Sequence, residues 1–252
     1  MLKKNQLLCL LANNKDTQGR KFNSVVNGIE ATVYLYDVIV SDALSAEYFG
    51  GVDPLTFAQA LNEIKADTIH LRINSPGGDV FAAQAMAQAI REHPANVIAH
   101  IDGVAASAAT TIACACDESV ISSGGAYMIH RAMMMAFGNT NDLTEGAALL
   151  EKVDGIIAAG YAKQTGKTTD EILAMMTAET WMNADEAVAN GFIQSVAETE
   201  EQPTALWDLS AYTQAPKAIR NALKPPQKPP EPTVITDEHR ERMQQRIRLL
   251  QI

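Results

Sequence analysis

Apolar and polar residues alternate along most of this chain in two rhythms. TVYLYDVIV at 32–40, TIHLRI at 68–73 and NVIAHI at 96–101 are rich in β-branched and aromatic residues and predict buried strands. Between them, Phe57, Ala60, Leu61 and Ile64, then Val80, Ala83, Ala87 and Ile90, recur at helical spacing. Asp53 offers an N-cap with Pro54 at the first helical position, and Pro94 closes the second helix. ESVIS and AYMIH predict two further short strands around Gly124 and Gly125. The N-terminal MLKKNQLLCLLANN predicts a first strand.

A repeated strand, turn, helix order requires crossovers, so it predicts parallel pairing in an α/β fold. Sites gather at the carboxyl ends of such strands. NSPGGD (74–79), GVAAS (103–107) and MIH (128–130) all fall there or just beyond. A helical section follows, in which Asp142 with Glu145 makes a capping-box-like start. Leu143, Ala147, Leu150, Ile157 and Tyr161 form a stripe that serves either the core or a subunit interface. Thr168 with Glu171 begins a shorter helix, and Asn183 with Glu186 another that stops at Gly191.

Past Val196 the pattern fades. KPPQKPPEP (224–232) favours extended polyproline geometry and reads as a linker. TDEHRERMQQRIRLLQI (236–252) has a mixed-charge helical pattern with Met243, Ile247 and Leu250 on one side, marginal alone and therefore mobile or docked on a partner. The expected organisation is an N-terminal strand segment (1–29), a catalytic-type domain (30–199) and a Pro-rich linker with a C-terminal helix (200–252).

Composition narrows the function. A chain of 252 residues, 47% hydrophobic, can bury a substantial core. A net charge of −10 speaks against a general nucleic-acid partner, which needs a concentrated basic surface. No apolar run approaches the roughly 18 residues of a membrane span, and the N-terminus lacks a convincing signal-peptide core and cleavage site. Cys9, Cys114 and Cys116 cannot all pair within one chain, which points to a reducing, cytoplasmic compartment. Cys-Ala-Cys without a further Cys or His cluster is weak as a metal site, and buried thiols are the simpler account.

Ser107 stands inside an alanine run, HIDGVAASAATTIACACDES at 100–119, directly after a predicted strand. A small residue in a closely packed helix is the simplest account of it. A serine hydroxyl becomes a useful nucleophile only when a base removes its proton, and histidine, with an unperturbed pKa of about 6.5, suits that task. Of the five histidines, His130 at the end of AYMIH has the location of an active-site residue, although for a lone histidine a structural role is the better account. Gly77 and Gly78 lead into a helix, where backbone N–H groups can face a developing oxyanion or merely form a turn.

INSPGGDVFAA, DGVAASAAT, YMIHR and ETWMNADEAVANGFI, in that order and spacing, resemble successive blocks of the Clp-type serine peptidases, above all their phage head-maturation (prohead) branch. The resemblance spans about residues 30 to 197. It implies a Clp/crotonase-like spiral of strand-turn-helix units, a protruding helical handle over about 139–176, and an extended C-terminal tail. It implies Ser107 as nucleophile, His130 as general base, Glu179 of AETWM as the third member, and Gly78 with the Ala108 amide as oxyanion hole. Housekeeping members carry aspartate where Glu179 stands; Asp185 is a fallback that also has a capping explanation. No metal or organic cofactor is implied.

The implied partners are protein substrates such as capsid, portal or scaffold chains, and copies of this chain in a ring; the implied location is the host cytoplasm, extending to the interior of the prohead. No counterpart of the basic, Tyr-rich N-terminal segment that engages an ATPase is present, so dependence on an unfoldase is doubtful. Two other readings stay open: a crotonase-like enzyme acting on acyl-CoA thioesters, and an assembly protein with a vestigial peptidase core.

Overall fold

The computed structural model describes residues 5–197 and 207–215. The expected linker and C-terminal helix lie outside the described residues. Eight strands form one sheet: β1 (Lys21–Asn27), β2 (Glu30–Tyr36), β3 (Thr68–Ser75), β4 (Asn96–Ala106), β5 (Glu118–Ile121), β6 (Ala126–Ile129), β7 (Thr180–Asn183) and β8 (Ser195–Val196). The order is β1-β2-β3-β4-β5-β8, with β6 pairing both β4 and β7. β1 and β2 form an antiparallel hairpin through Gly28, and β6 meets β7 antiparallel; the remaining pairs are parallel.

The crossovers carry helices. α2 (Ala43–Phe49) and α3 (Pro54–Glu63) link β2 to β3, α4 (Val80–Glu92) links β3 to β4, and α5 (Ala108–Ala113) links β4 to β5. Asp53 caps α3 through the amides of Leu55 and Thr56, and Asp79 caps α4 through Ala82. Ile69, Leu71 and Ile73 of β3 face the helices together with Phe57, Leu61, Met86 and Ile90, making the main core. His70 and Arg72 alternate to the other face. There Arg72 grips the Asp102 carboxylate with two bonds of 2.8 and 2.6 Å, Tyr36 donates to the same group, and His70 Nδ1 lies 3.0 Å from His100 Nε2.

β4 changes partners along its length. Ile98–Ile101 pair with β5, whereas Val104–Ala106 pair with β6. The register against β3 shifts between Ile73 and Ser75.

The N-terminal run is a helix rather than the expected strand: α1 (Gln6–Asn14) is capped by Asn5, whose side chain accepts from the Leu8 amide. Leu10, Leu11 and Asn14 turn inward, a spacing of three and four that a strand cannot present on one face. α1 belongs to a second core with Val38, Val40, Val104, Met128, Trp207 and Leu209. Arg20 ties this end together by donating to Asp37 (2.7 Å) and to the carbonyls of Asn14, Lys15 and Phe49.

The helical section is α6 (Thr140–Thr165), α7 (Thr169–Thr177) and α8 (Ala184–Ala189). The capping boxes Thr168 with Glu171 and Asn183 with Glu186 form as expected. In α6 the box is made by Asn139 with Asp142, not by Asp142 with Glu145, because Gly138 and Asn139 complete the turn before the first helical residue. Only the second half of α6 buries its stripe, through Val153, Ile157, Ala158 and Tyr161; Leu143 and Ala147 are exposed.

Candidate active site

Ser107 stands where β4 turns into α5, at φ 55° and ψ −124°. Positive φ in a residue with a Cβ costs about 1–3 kcal/mol and persists only where the surroundings impose it. Here the Ser107 amide donates to Met128 O (2.8 Å), while the Thr110 hydroxyl and amide donate to Ser107 O (2.5 and 2.9 Å). Parallel pairing sets Met128 level with Ala106, so His130, just past β6, arrives beside the serine. Ser107 Oγ is 2.7 Å from His130 Nε2.

Burial holds the His130 pKa below its usual value, and the nearby charges of Glu179 and Asp154 oppose that shift. The imidazole is thus neutral near pH 7, with a lone pair available to a hydroxyl proton.

Glu179 follows α7 at φ 48°, its amide bonded to Met176 O (3.1 Å). Its carboxylate accepts from the amides of Thr213 (3.1 Å) and Gln214 (2.6 Å) and from Trp181 Nε1 (3.3 Å). Among the described residues the hydrogen bond to the His130 ring is that of Ser107, and Glu179 acts on the imidazole through its charge. Ser107 and His130 are therefore in direct contact, whereas Glu179 is nearby without bonding to the ring. Asp185 lies exposed in the first turn of α8.

Gly77 and Gly78 adopt φ 92° and 150°. A Cβ at Gly77 would fall 2.5 Å from Ala106 O and 3.2 Å from the Ala108 nitrogen, so this loop lies against the Ser107 turn. The Ile39 amide donates to Gly77 O (2.9 Å) and the Asp79 amide to Ile39 O (3.0 Å), which fixes the loop to the chain leaving β2. Ala108 opens α5, where helical N–H groups lack intrahelical acceptors.

Sequence reasoning missed two neighbours. Asp154, buried on α6, accepts from the Ala132 amide (2.8 Å) and Arg131 (3.1 Å) and biases His130 by charge. A charged residue between the core-facing Val153 and Ile157 was its signal. Tyr212 sets its ring edge-on to His130, with centroids 5.5 Å apart. Its signal was the pairing of Trp207 with Tyr212 in an otherwise weakly patterned stretch.

Beside Ser107 opens a cavity of about 250 Å³ walled by Leu7, Leu10, Val80, Met133, Met134 and Ile157. Such walls favour apolar side chains over charged ones. Among the described residues, no cluster of His, Cys, Asp and Glu could hold a metal ion, and no helix is long and apolar enough to cross a membrane.

Comparison with known proteins bears on the family and the fold. The Clp protease family pattern matches residues 25–200. An ATP-dependent Clp protease proteolytic subunit of Streptococcus equi subsp. equi is 32% identical over 151 residues, covering 58% of this chain and 76% of the relative. The subunit of the same name from Streptococcus gordonii is 32% identical over 146 residues, covering 56% and 74%. A solved ClpP1 point mutant from Listeria monocytogenes superposes with a TM-score of 0.57 at 22% identity, over 67% of this chain and 91% of that one, and shares the fold. With its mixed α/β sheet and a family match over most of its length, the chain belongs to the Clp protease family.

Proposed function

We propose that this protein is a serine endopeptidase in which Ser107, His130 and Glu179 form the catalytic set. The observation that carries the proposal is the 2.7 Å contact between Ser107 Oγ and His130 Nε2 at a strained strand-to-helix turn. Ser107 Oγ attacks the substrate carbonyl carbon while its proton passes to His130 Nε2. The carbonyl oxygen becomes an oxyanion and takes hydrogen bonds from the amides of Gly78 and Ala108. Collapse breaks the C–N bond, and His130 gives its proton to the departing amine. Water, activated by the same imidazole, then hydrolyses the acyl-enzyme. Glu179, whose carboxylate accepts from three N–H donors, stabilises the imidazolium through space.

The substrates in this proposal are capsid, portal or scaffold proteins processed during phage head maturation, in the host cytoplasm and within the prohead. Support comes from the order of the four sequence blocks and from the Pro-rich and charged tail beyond the peptidase core. Assembly into a homo-oligomeric ring is part of the proposal, supported by exposed apolar residues on and before α6: Met135, Phe137, Leu143 and Leu149. A thioester-handling enzyme of crotonase type would have no need of the serine–histidine contact.

The test is mass spectrometry of products after mixing the full chain with candidate capsid and scaffold proteins, beside Ser107→Ala. Defined cleavage by the wild type that is lost in a folded variant supports the proposal. Equal cleavage by both rejects Ser107, and no cleavage with intact incorporation into proheads favours an assembly role.

A further inference from the structure

We propose that segment 207–215 is a built-in wall of the catalytic centre and that Tyr212 is a positioning residue, tying the oxyanion loop to the histidine. The segment lies beyond residues 25–200, the span that the family pattern matches. It touches three parts of the site at once. The Tyr212 hydroxyl donates to Pro76 O, one residue before the glycine pair. The Tyr212 ring packs edge-on against His130 and against Trp181, with centroids 5.5 and 5.8 Å away. The next two amides, of Thr213 and Gln214, hold the Glu179 carboxylate.

The segment is embedded, not laid over the surface. Trp207 and Leu209 are fully buried, and Trp207 Nε1 donates to the carbonyl and side-chain oxygens of Asn74 at 3.1 and 3.2 Å. The Asp208 amide donates to the Asn14 side chain (2.7 Å), joining the segment to α1. A removable plug would not insert its largest side chain into the core beneath the loop it blocks.

The geometry gives Tyr212 two tasks. In the usual arrangement a carboxylate bonded to Nδ1 fixes the tilt of the catalytic imidazole. Here Glu179 is turned toward the segment, so the tyrosine ring beside His130 restrains the imidazole and keeps Nε2 on the serine. The second task concerns the loop. Two consecutive glycines rotate freely unless their flanking peptides are held. The bond to Pro76 O fixes the peptide plane that carries the Gly77 amide, so the chain enters the Gly78 peptide, itself held through Gly77 O by the Ile39 amide (2.9 Å), in a set direction. Burial also holds the Tyr212 phenol well above its usual pKa, so it stays protonated and able to donate.

This inference rests on Ser107 being the nucleophile, and the experiment separates the two ideas. The full-length wild type, Ser107→Ala, Tyr212→Phe and Tyr212→Ala are treated with a fluorophosphonate, and the labelling rate is followed from pH 5 to 9. No wild-type labelling, or equal labelling of Ser107→Ala, would reject the nucleophile itself.

With the nucleophile established, Tyr212→Phe is expected to label about tenfold more slowly, the size of one lost hydrogen bond to the loop, with an unchanged pH midpoint because the ring remains. Tyr212→Ala is expected to lose about 100-fold through misplacement of the base, with the midpoint rising toward the ordinary imidazole value as His130 gains solvent. Wild-type rate and midpoint in both folded variants would overturn the proposal, as would equal losses in both without any midpoint shift. Should Tyr212→Ala not fold, Tyr212→Phe decides alone: an unchanged rate overturns the proposal and a tenfold loss at constant midpoint upholds it.

Discussion

Replacing Gly78 by alanine tests the loop at its least forgiving point. The added methyl carbon would sit 1.9 Å from Ile39 O, 2.7 Å from its carbonyl carbon and 2.8 Å from its nitrogen. All three are backbone atoms, so no side-chain rotation relieves the overlap. The two backbone segments must part, which breaks the bonds from Ile39 N–H to Gly77 O and from Asp79 N–H to Ile39 O. Each is worth about 1 kcal/mol, and alanine held near φ 150° adds about 1–3 kcal/mol of strain. The expected destabilisation is about 3–5 kcal/mol, read as a shift in the urea midpoint at constant slope. If the Gly78 amide serves the oxyanion, kcat on a peptide substrate also falls by about 10² to 10³ in whatever fraction remains folded. Gly124→Ala is the control: nothing lies within 4 Å of its added methyl, so stability and rate stay at wild-type values. A Gly78→Ala protein with unchanged midpoint and unchanged kcat would refute both the contact and the role built on it.

Other perturbations read other parts of the molecule. Because burial depresses the His130 pKa, the neutral base survives into more acid solution, and the acid limb of kcat/KM should have its midpoint below 6.5. Glu179→Ala removes a charge that raises that pKa, so the limb should move further down while kcat falls; a move upward would contradict the assignment. The fall should be about 10- to 100-fold, smaller than the roughly 10⁴ seen where the acid bonds the histidine directly. Arg20→Met leaves the Asp37 carboxylate buried without its cation and should cost about 3–5 kcal/mol in chemical unfolding; a loss under 1 kcal/mol would show that the site is wet. Burial pushes the Cys114 thiol up to about 11 and Cys116 higher still, so both should resist maleimide at pH 8 until the protein unfolds. Mass spectrometry of the labelled peptides checks this directly.

Features written in local chemistry were legible in the sequence. The caps at Asp53, Thr168 and Asn183, the strand ahead of GVAAS and the glycine pair all depend on residues a few positions apart. The first helix was not legible as a helix, because a short leucine-rich run fits either period until its partners Val38, Val40 and Trp207 are known. The surroundings of Glu179 were hidden for a different reason. Two of its three donors come from residues 34 and 35 positions away, and those two are backbone amides, which every sequence supplies equally. Tyr212 escaped notice likewise, since its pairing with Trp207 marks a buried aromatic but not the ring of His130 that it meets.

The divided pairing of β4 bears on how this chain tolerates changes in length. Adding or deleting one residue between Val97 and Ala106 would invert the side-chain faces beyond that point, sending Ser107 to the wrong side of the sheet while the first half stayed in register with β5. The hairpin at Gly28, where an added methyl meets nothing, transmits no such inversion to the serine. Natural variation and engineered fusions should therefore collect at the hairpin and spare the central strand, whose residue count is as constrained as the identity of the serine at its end.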